Sequence, residues 1–267
     1  MKDRAKVTRP EEGIPSHPFP EIELDGMRIA SVTREELIAH IFEALDQGKG
    51  LHLVTANLDI LRRSRLDPRA RAFYEGADLR VADGMPLVWA SRLMGHALPE
   101  RVAGSELVPA ILTEAAQAAH SVYLIGGSEG VAERAADLIE MRFPGAKVAG
   151  YDDGYYDDPP DEEALDRLVK EVHESGARIV FIALGSPKQE VIAAALQQAI
   201  RGIFVVGVGA SLSFLTGDLA QAPVALRRVG LEWLFRLVTE PRRLARRYLV
   251  HGVPFAFRLM WVALKRR

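Results

Sequence analysis

Short apolar runs that alternate with helical segments constrain the fold of this chain more than any other feature. The runs cover residues 51–55, 79–82, 122–125, 147–149, 179–184 and 203–208. Several are apolar at consecutive rather than alternate positions, which is typical of strands covered on both faces. Helical patterns lie at 33–47, 67–75, 85–94, 105–119, 130–142, 161–175 and 187–201. This order predicts an α/β domain of the Rossmann-like kind, a mostly parallel sheet with helices on both faces.

The absence of cysteine limits the chemistry that this chain can perform. None of its 267 residues is a cysteine, so disulfides, thiolate metal sites and cysteine nucleophiles are excluded. The seven histidines are scattered, and no pair has the helical spacing of metal ligands. We therefore expect a site that holds neither a metal nor a cofactor.

The last forty-seven residues carry a charge that the rest of the chain does not. Residues 221–267 contain eleven Lys and Arg against two acidic residues, a net charge of +9. The whole chain carries −2, so the first 220 residues carry −11. The same segment holds two of the three tryptophans, Trp233 and Trp261. A basic, aromatic segment on an acidic body predicts a surface that meets an anionic partner.

Helical spacing and a proline divide this basic segment. Apolar residues recur at helical spacing from Leu231, and Pro241 is expected to break the segment into two helices. The apolar stretch 248–264 contains His251, Pro254 and Arg258 and is shorter than the ~20 residues of a membrane-spanning helix. We therefore expect residues 1–20 to be a flexible leader, 21–221 the α/β domain that carries the candidate site, and 222–267 a helical appendage that could lie on a membrane.

Polar residues directly after the predicted strands are the first candidates for a site, because ligands bind beyond the carboxyl ends of parallel strands. Thr55 and Asn57 follow the first run, where they could bind a ligand or cap the next helix. Asp83 follows the second run and could act as a general base, or as a helix cap before Pro86. Arg101 is suited to a diphosphate, with a salt bridge to a neighbouring glutamate as the alternative.

Glycine-rich and polar turns after the later runs are further candidates. The turn at Gly126 and Gly127 presents backbone N–H groups to an anion, although such turns also serve close packing. Gln189 and Glu190 begin a helix where they could contact a ligand, and Gly209 allows a ligand to approach the backbone. Together with Asp152, the glycine turn also leaves open an NAD-dependent oxidoreductase.

Seven motifs in this order resemble the WecG/TagA/CpsF family, glycosyltransferase family 26. They are Thr55-Ala56-Asn57, Ala77-Asp78-Leu79 with Asp83-Gly84, Leu98-Pro99-Glu100-Arg101-Val102-Ala103-Gly104, Tyr123-Leu124-Ile125-Gly126-Gly127, Gly185-Ser186-Pro187-Lys188-Gln189-Glu190, Gly230-Leu231-Glu232-Trp233-Leu234-Phe235-Arg236-Leu237, and Glu240-Pro241-Arg242-Arg243 with Arg247-Tyr248. The resemblance extends from about residue 22 to 250. Each motif is modest alone, but the ordered set is specific.

The resemblance implies an inverting, metal-independent enzyme of cell-surface polysaccharide synthesis. It would be cytoplasmic, on the inner face of the plasma membrane, and would move an N-acetylmannosamine-type sugar from a UDP-sugar to a polyprenyl-diphosphate-linked sugar. Asp83 matches the family's proposed general base, and Thr55 and Asn57 match polar residues of its sugar pocket. Arg101 and Gln189 match positions expected to contact the donor or the acceptor.

The resemblance also gives the basic appendage a role in the site. Its first part, 231–247, is expected to reach a diphosphate, with Arg236, Arg242 and Arg247 as candidates. Its second part, 248–267, is expected to meet the anionic membrane with Phe255, Phe257 and Trp261, although its apolar side could instead form a homo-oligomer contact. A nucleic-acid partner is disfavoured, because the body is acidic and the segment has helical apolar spacing rather than an exposed aromatic platform.

Overall fold

Near its start, the described part of the chain forms a β-hairpin that the apolar runs did not predict. A computed structural model describes residues 17–228 and 230–266, without the side chain of Arg228. In it, β1 (Glu21–Leu24) pairs antiparallel with β2 (Met27–Ala30). The two-residue turn between them is Asp25-Gly26, both at positive φ, as the tight turn of a hairpin requires.

Six parallel strands form the central sheet. They are β3 (Leu51–Ala56), β4 (Leu79–Ala82), β5 (Ser121–Gly126), β6 (Lys147–Asp152), β7 (Ile179–Ala183) and β8 (Phe204–Gly207). Their order in the sheet is β4-β3-β8-β7-β5-β6, and every neighbouring pair is parallel. All six predicted strands are confirmed, and so is the predicted α/β class.

Helices cover both faces of the sheet, as predicted. They are α1 (Arg34–Asp46), α2 (Leu58–Leu66), α3 (Pro68–Glu75), α4 (Met85–Leu93), α5 (Gly104–Ala118), α6 (Val131–Arg142), α7 (Glu162–Ser175), α8 (Lys188–Ala199) and α9 (Ser211–Thr216). Helices α1, α5, α6 and α9 pack on one face, while α2, α3, α4, α7 and α8 pack on the other. Of these nine, α2 and α9 were not predicted.

The basic appendage is helical and is docked on the body. It consists of α10 (Val224–Arg228), α11 (Glu232–Thr239), α12 (Pro241–Ala245), a π-helical segment (Arg246–Gly252) and α13 (Val253–Lys265). The predicted break at Pro241 is confirmed. Within residues 17–228 and 230–266, no helix is both long enough and apolar enough to cross a membrane.

Helix α13 has one buried apolar side and one exposed one. Phe255, Leu259 and Ala263, spaced four residues apart, are buried in a cluster that also contains Leu87 of α4. The expectation that Phe255 lies on the membrane-facing surface is therefore wrong, because its position on the helix turns it towards α4. Phe257, by contrast, is exposed.

Ion pairs join α13 to the hairpin. Arg258 Nη1 lies 2.6 Å from Asp25 Oδ2, and Arg266 Nη1 lies 2.8 Å from Glu23 Oε1. Of the predicted flexible leader, residues 1–16 lie outside the described residues. His17 is buried and Phe19 packs against the core, so the described end of that segment is held to the body.

Candidate active site

A cavity of about 300 Å³ lies where the carboxyl ends of β3 and β4 meet the appendage. The parallel register pairs Ala56 with Ala82, so Asn57 and Asp83 leave the sheet at the same level. The body contributes Asn57, Leu58, Asp59, Arg62, Asp83, Gly84, Met85, Pro86, Trp89 and Arg101, and the appendage contributes Gly230, Glu232, Trp233, Arg236, Arg247, Tyr248, Gly252, Val253 and Ala256. The site is thus shared between the two parts.

Asp83 faces the cavity and does not occupy the cap position of the following helix. Gly84 occupies the cap position of α4, which leaves the Asp83 carboxylate for the cavity. Burial raises the pKa of Asp83 to about 7, and the nearby Glu232 carboxylate adds to the increase. Arg101, the backbone N–H of Gly104 and Arg236 act in the opposite direction. A carboxylate with a pKa close to neutral is well matched to taking a proton from a hydroxyl group.

Arg101 links the body to the appendage beside Asp83. Its guanidinium donates to Glu106 Oε1 and to Glu232 Oε2, each at 2.9 Å, and Arg227 donates to the same Glu106 oxygen at 3.2 Å. The alternative of a salt bridge to Glu106 is therefore present in the structure. Because Arg101 also lines the cavity, contact with a substrate diphosphate stays a prediction.

Two of the three appendage arginines predicted for diphosphate binding reach the cavity. The Arg236 guanidinium lies over the Phe214 ring at 5.5 Å, and its buried Nε has no hydrogen-bond partner among the described residues. Arg247 Nε lies 3.3 Å from Asp59 Oδ2. Arg242, however, is exposed at the start of α12 and does not line the cavity.

Asn57 caps a helix and also lines the cavity, so its contact with a ligand stays a prediction. Its side-chain oxygen accepts from the backbone N–H groups of Asp59 and Ile60 and so caps α2. The residue also lines the cavity, and its amide nitrogen has no hydrogen-bond partner in the described part of the chain. The amide nitrogen is thus free to meet a substrate.

Thr55, Gln189 and Glu190 meet in a second, much smaller cavity of about 10 Å³, enough for one water molecule. Thr55 Oγ1 donates to the Gly207 carbonyl at 3.3 Å, and Gln189 Nε2 donates to Glu190 Oε1 at 2.9 Å. Burial raises the pKa of Glu190. Gln189 Oε1 and Glu190 Oε2 are buried and lack a partner within the described residues, so this pocket can accept hydrogen bonds.

The candidate glycines lie apart from both cavities. A Cβ on Gly126 would come within 2.6 Å of the Leu184 side chain and 3.0 Å of the Ala183 carbonyl, at a φ of +88°. A Cβ on Gly127 would meet the Val131 side chain at 2.7 Å. Close packing thus accounts for these two glycines. Gly209 is exposed in the turn after β8 and lines neither cavity.

Arg62 and Trp89 line the cavity and were not singled out from the sequence. Arg62 comes from α2, a helix that was not predicted, and Trp89 lies one turn inside α4. Tyr248 and Trp233 form an edge-on aromatic pair in the appendage, with ring centroids 6.4 Å apart. The aromatic residues in the basic segment were the available signal, whereas nothing in the sequence marked Arg62.

The large cavity combines the carboxyl group of Asp83, whose pKa is about 7, with four arginines and an apolar wall. Arg62, Arg101, Arg236 and Arg247 outnumber Asp59, Asp83 and Glu232, so the lining is net positive even with Asp83 ionised. Such a site can take a proton from a hydroxyl group and bind phosphate oxygens. No group of three His, Asp or Glu side chains suited to a metal ion is present in residues 17–228 and 230–266.

Comparison with known proteins agrees with this chemistry. The family model for the glycosyl transferase WecG/TagA/CpsF family matches residues 22–267. A protein of Bacillus spizizenii named N-acetylglucosaminyldiphosphoundecaprenol N-acetyl-beta-D-mannosaminyltransferase is 34% identical over 199 residues, which are 74% of this chain and 75% of that relative. The predicted family is confirmed, and the oxidoreductase alternative is set aside. This chain belongs to the WecG/TagA/CpsF family and is a hexosyl-transferring glycosyltransferase.

Proposed function

We propose that this enzyme transfers an N-acetylmannosamine-type sugar from a UDP-sugar to a sugar carried on polyprenyl diphosphate, with inversion and without a bound metal. The product would be a lipid-linked intermediate of a cell-surface polysaccharide. The name of the Bacillus relative supports this choice, since it specifies both that sugar and a diphosphoundecaprenol-linked acceptor. The single observation that carries the proposal is Asp83, with its pKa near 7, beside several arginines in one cavity.

The proposed step is a single displacement. The acceptor hydroxyl loses its proton to the Asp83 carboxylate, and its oxygen forms a bond to the anomeric carbon of the donor. The bond from that carbon to UDP breaks, and its electron pair leaves with the diphosphate. Inversion places the leaving diphosphate on the face of the anomeric carbon opposite the acceptor hydroxyl. Arg101 and Arg236, which line the same cavity, are the candidates to stabilise its developing negative charge.

A donor screen tests the proposal directly. The full chain would be incubated with several UDP-sugars and a short-chain polyprenyl diphosphate carrying N-acetylglucosamine, with products detected by mass. We expect one glycosyl residue to be added from UDP-N-acetylmannosamine, and the same reaction after treatment with a chelator. Transfer from another UDP-sugar alone would change the donor assignment, and an absolute requirement for added metal would refute the metal-independent mechanism.

We also propose that the appendage holds the enzyme on the inner, anionic surface of the plasma membrane, where a lipid-linked acceptor resides. Val250, Phe257 and Trp261 are exposed apolar residues, and Arg243 and Arg246 are exposed on the preceding turns. Each basic residue near an anionic leaflet contributes about 1 kcal/mol to binding. Exposed aromatic residues beside basic ones favour lipid over water.

A vesicle-binding experiment tests this location. Truncating the appendage would uncover the core residues around Phe255, so point changes on the exposed side are preferable. We expect Phe257→Ser combined with Trp261→Ser to weaken sedimentation with phosphatidylglycerol vesicles, while Met141→Ser, an equally exposed apolar residue on α6, has no effect. Equal sedimentation of both variants would refute the membrane role of α13.

A further inference from the structure

The large cavity contains a second charged cluster around Asp59, separate from the groups that set the pKa of Asp83. Asp59 Oδ2 lies 3.2 Å from Arg63 Nε and 3.3 Å from Arg247 Nε, and Asp59 Oδ1 lies 4.0 Å from Arg62 Nε. One carboxylate therefore faces three guanidinium groups, and the cluster carries a net charge of +2. Arg62 and Arg247 line the cavity, but Arg63 does not.

Arg62 has unused hydrogen-bonding capacity at this cluster. Its Nε is buried and has no hydrogen-bond partner in the part of the chain that the structure describes. The 4.0 Å separation from Asp59 is too long for a hydrogen bond. A buried donor without a partner is costly, so a phosphate oxygen placed here would supply what the protein does not.

An apolar wall adjoins the Asp59 cluster. Leu58 lies next to Asp59 on α2, and Val253 and Ala256 face the same cavity from α13. Phe257 is one helical turn beyond Val253 and is exposed, so the apolar surface continues out of the cavity. This combination fits a ligand in which an anionic group is joined to an apolar chain longer than the cavity. A nucleotide has no such chain.

We infer that Arg62 binds the diphosphate of the lipid-linked acceptor, and that Arg62, Arg247 and the apolar wall form the prenyl-diphosphate subsite. This rests on the proposed function. The acceptor hydroxyl must meet Asp83, and its sugar ring separates that hydroxyl from the diphosphate. The acceptor diphosphate therefore belongs at a cationic cluster one sugar away from Asp83. The donor diphosphate leaves from the opposite face of the donor sugar, and Arg101 and Arg236 are the other two arginines of the cavity lining that can meet it.

Binding of farnesyl diphosphate and of UDP to the full chain tests this assignment. The variant is Arg62→Gln, and the matched control is Arg63→Gln, because Arg63 contacts the same carboxylate from the same helix but lies outside the cavity. We expect Arg62→Gln to weaken the binding of farnesyl diphosphate about tenfold or more, which is the loss typical of one charge-assisted hydrogen bond. The binding of UDP should weaken by less than about twofold. Arg63→Gln should change neither affinity by more than about twofold.

Kinetics and a conservative variant separate binding from folding. In the transfer reaction, Arg62→Gln should raise KM for the acceptor and leave KM for the donor unchanged. Arg62→Lys should recover part of the lost affinity for the acceptor. Equal weakening of UDP binding, or unchanged binding of farnesyl diphosphate in an active enzyme, would overturn this inference and leave the proposed function standing. If the unmodified chain bound neither probe and transferred no sugar, the proposed function would fail with it.

Discussion

Both ends of the sheet's carboxyl edge carry residues that the sequence marks as candidates for a site, but the structure around these residues differs. At the β5 end, the turn at Gly126 and Gly127 resembles a phosphate-binding loop, yet Leu184 and Val131 fill the space that side chains would occupy. At the β4 end, Asp83 follows the strand Leu79-Arg80-Val81-Ala82 and opens on the large cavity. A glycine-rich turn thus indicates that neighbouring atoms approach the backbone closely. A polar residue that follows a strand without capping the next helix indicates an open site.

Replacing Asp83 with Asn should have the largest effect at the open end. We expect transfer to fall by about 10³-fold, because a general base typically contributes 10²- to 10⁴-fold. UDP affinity should stay within about twofold, since the change leaves the arginines in place. Rates measured at saturating donor and acceptor would check this, with Asp137→Asn on exposed α6 as the control. Full activity of Asp83→Asn would remove Asp83 from the chemistry.

The same substitution should stabilise the fold at alkaline pH. The pKa of Asp83 is raised from 3.8 to about 7 in the folded chain, so the folded state binds the proton more tightly than the unfolded state. The stability associated with that proton is fully present below pH 3.8 and is lost as the pH rises through 7. Each pKa unit corresponds to about 1.4 kcal/mol. The free energy of unfolding of Asp83→Asn should therefore exceed that of the unmodified chain by up to about 4 kcal/mol at pH 8.

Urea unfolding at several pH values measures this difference. The gain should stay nearly constant down to about pH 7, shrink as the pH falls further, and disappear below pH 3.8, where the carboxyl group is mostly protonated in both states. A gain that does not depend on pH would show that the carboxylate is not the cause. Lower stability of Asp83→Asn at pH 8 would indicate that the charged form is favoured by the fold.

At the packed end, Gly126→Ala should damage stability rather than chemistry. The positive φ costs an alanine about 1–2 kcal/mol, and the contacts with Leu184 and the Ala183 carbonyl add about 1–3 kcal/mol. The control is Gly176→Ala, which has a similar φ of +68° but no neighbour within 4 Å of the added atom. It should show only the backbone cost in urea unfolding.

The outcome at Gly126 also tests the comparison itself. If the glycine turn serves packing, the folded fraction of Gly126→Ala keeps its affinity for UDP. If UDP binding were lost while stability matched that of the control, the turn would be a donor-binding loop. The contrast between the two ends of the sheet would then be wrong.

The parts of the molecule that sequence predicted are those fixed by local pattern. Short runs rich in apolar residues marked all six sheet strands, because most strands of a parallel sheet are covered on both faces. Asn57 and Asp83 were found because they follow such strands directly. Helix α2 was missed, since its run Leu-Asp-Ile-Leu-Arg-Arg-Ser-Arg-Leu has few apolar positions, and with it Arg62 was missed.

The remaining features depend on tertiary contacts that no local pattern states. Phe255 and Phe257 are two residues apart in one apolar helix, and only the docking of α13 on α4 buries the first and exposes the second. Likewise, Glu232 becomes part of the site because Arg101, far away in sequence, pairs with it at 2.9 Å. A charge pattern could predict a basic appendage, but not which of its arginines reach the cavity.

The smallest effect, and the sharpest test of the charges at the open end, is a shift of the pH profile. The ratio kcat/KM should rise with pH and level off above about 7, since Asp83 must be ionised to accept a proton. Arg101→Gln removes a cation that lowers the pKa of Asp83. The change also leaves Glu232, which raises that pKa, without its partner Arg101. The midpoint should therefore move to higher pH by about one unit. Arg134→Gln, whose partner Asp218 is exposed on the other side of the domain, should leave the midpoint unchanged. A profile of Arg101→Gln that loses amplitude but keeps its midpoint would mean that Arg101 acts on the substrate alone and does not lower the pKa of Asp83.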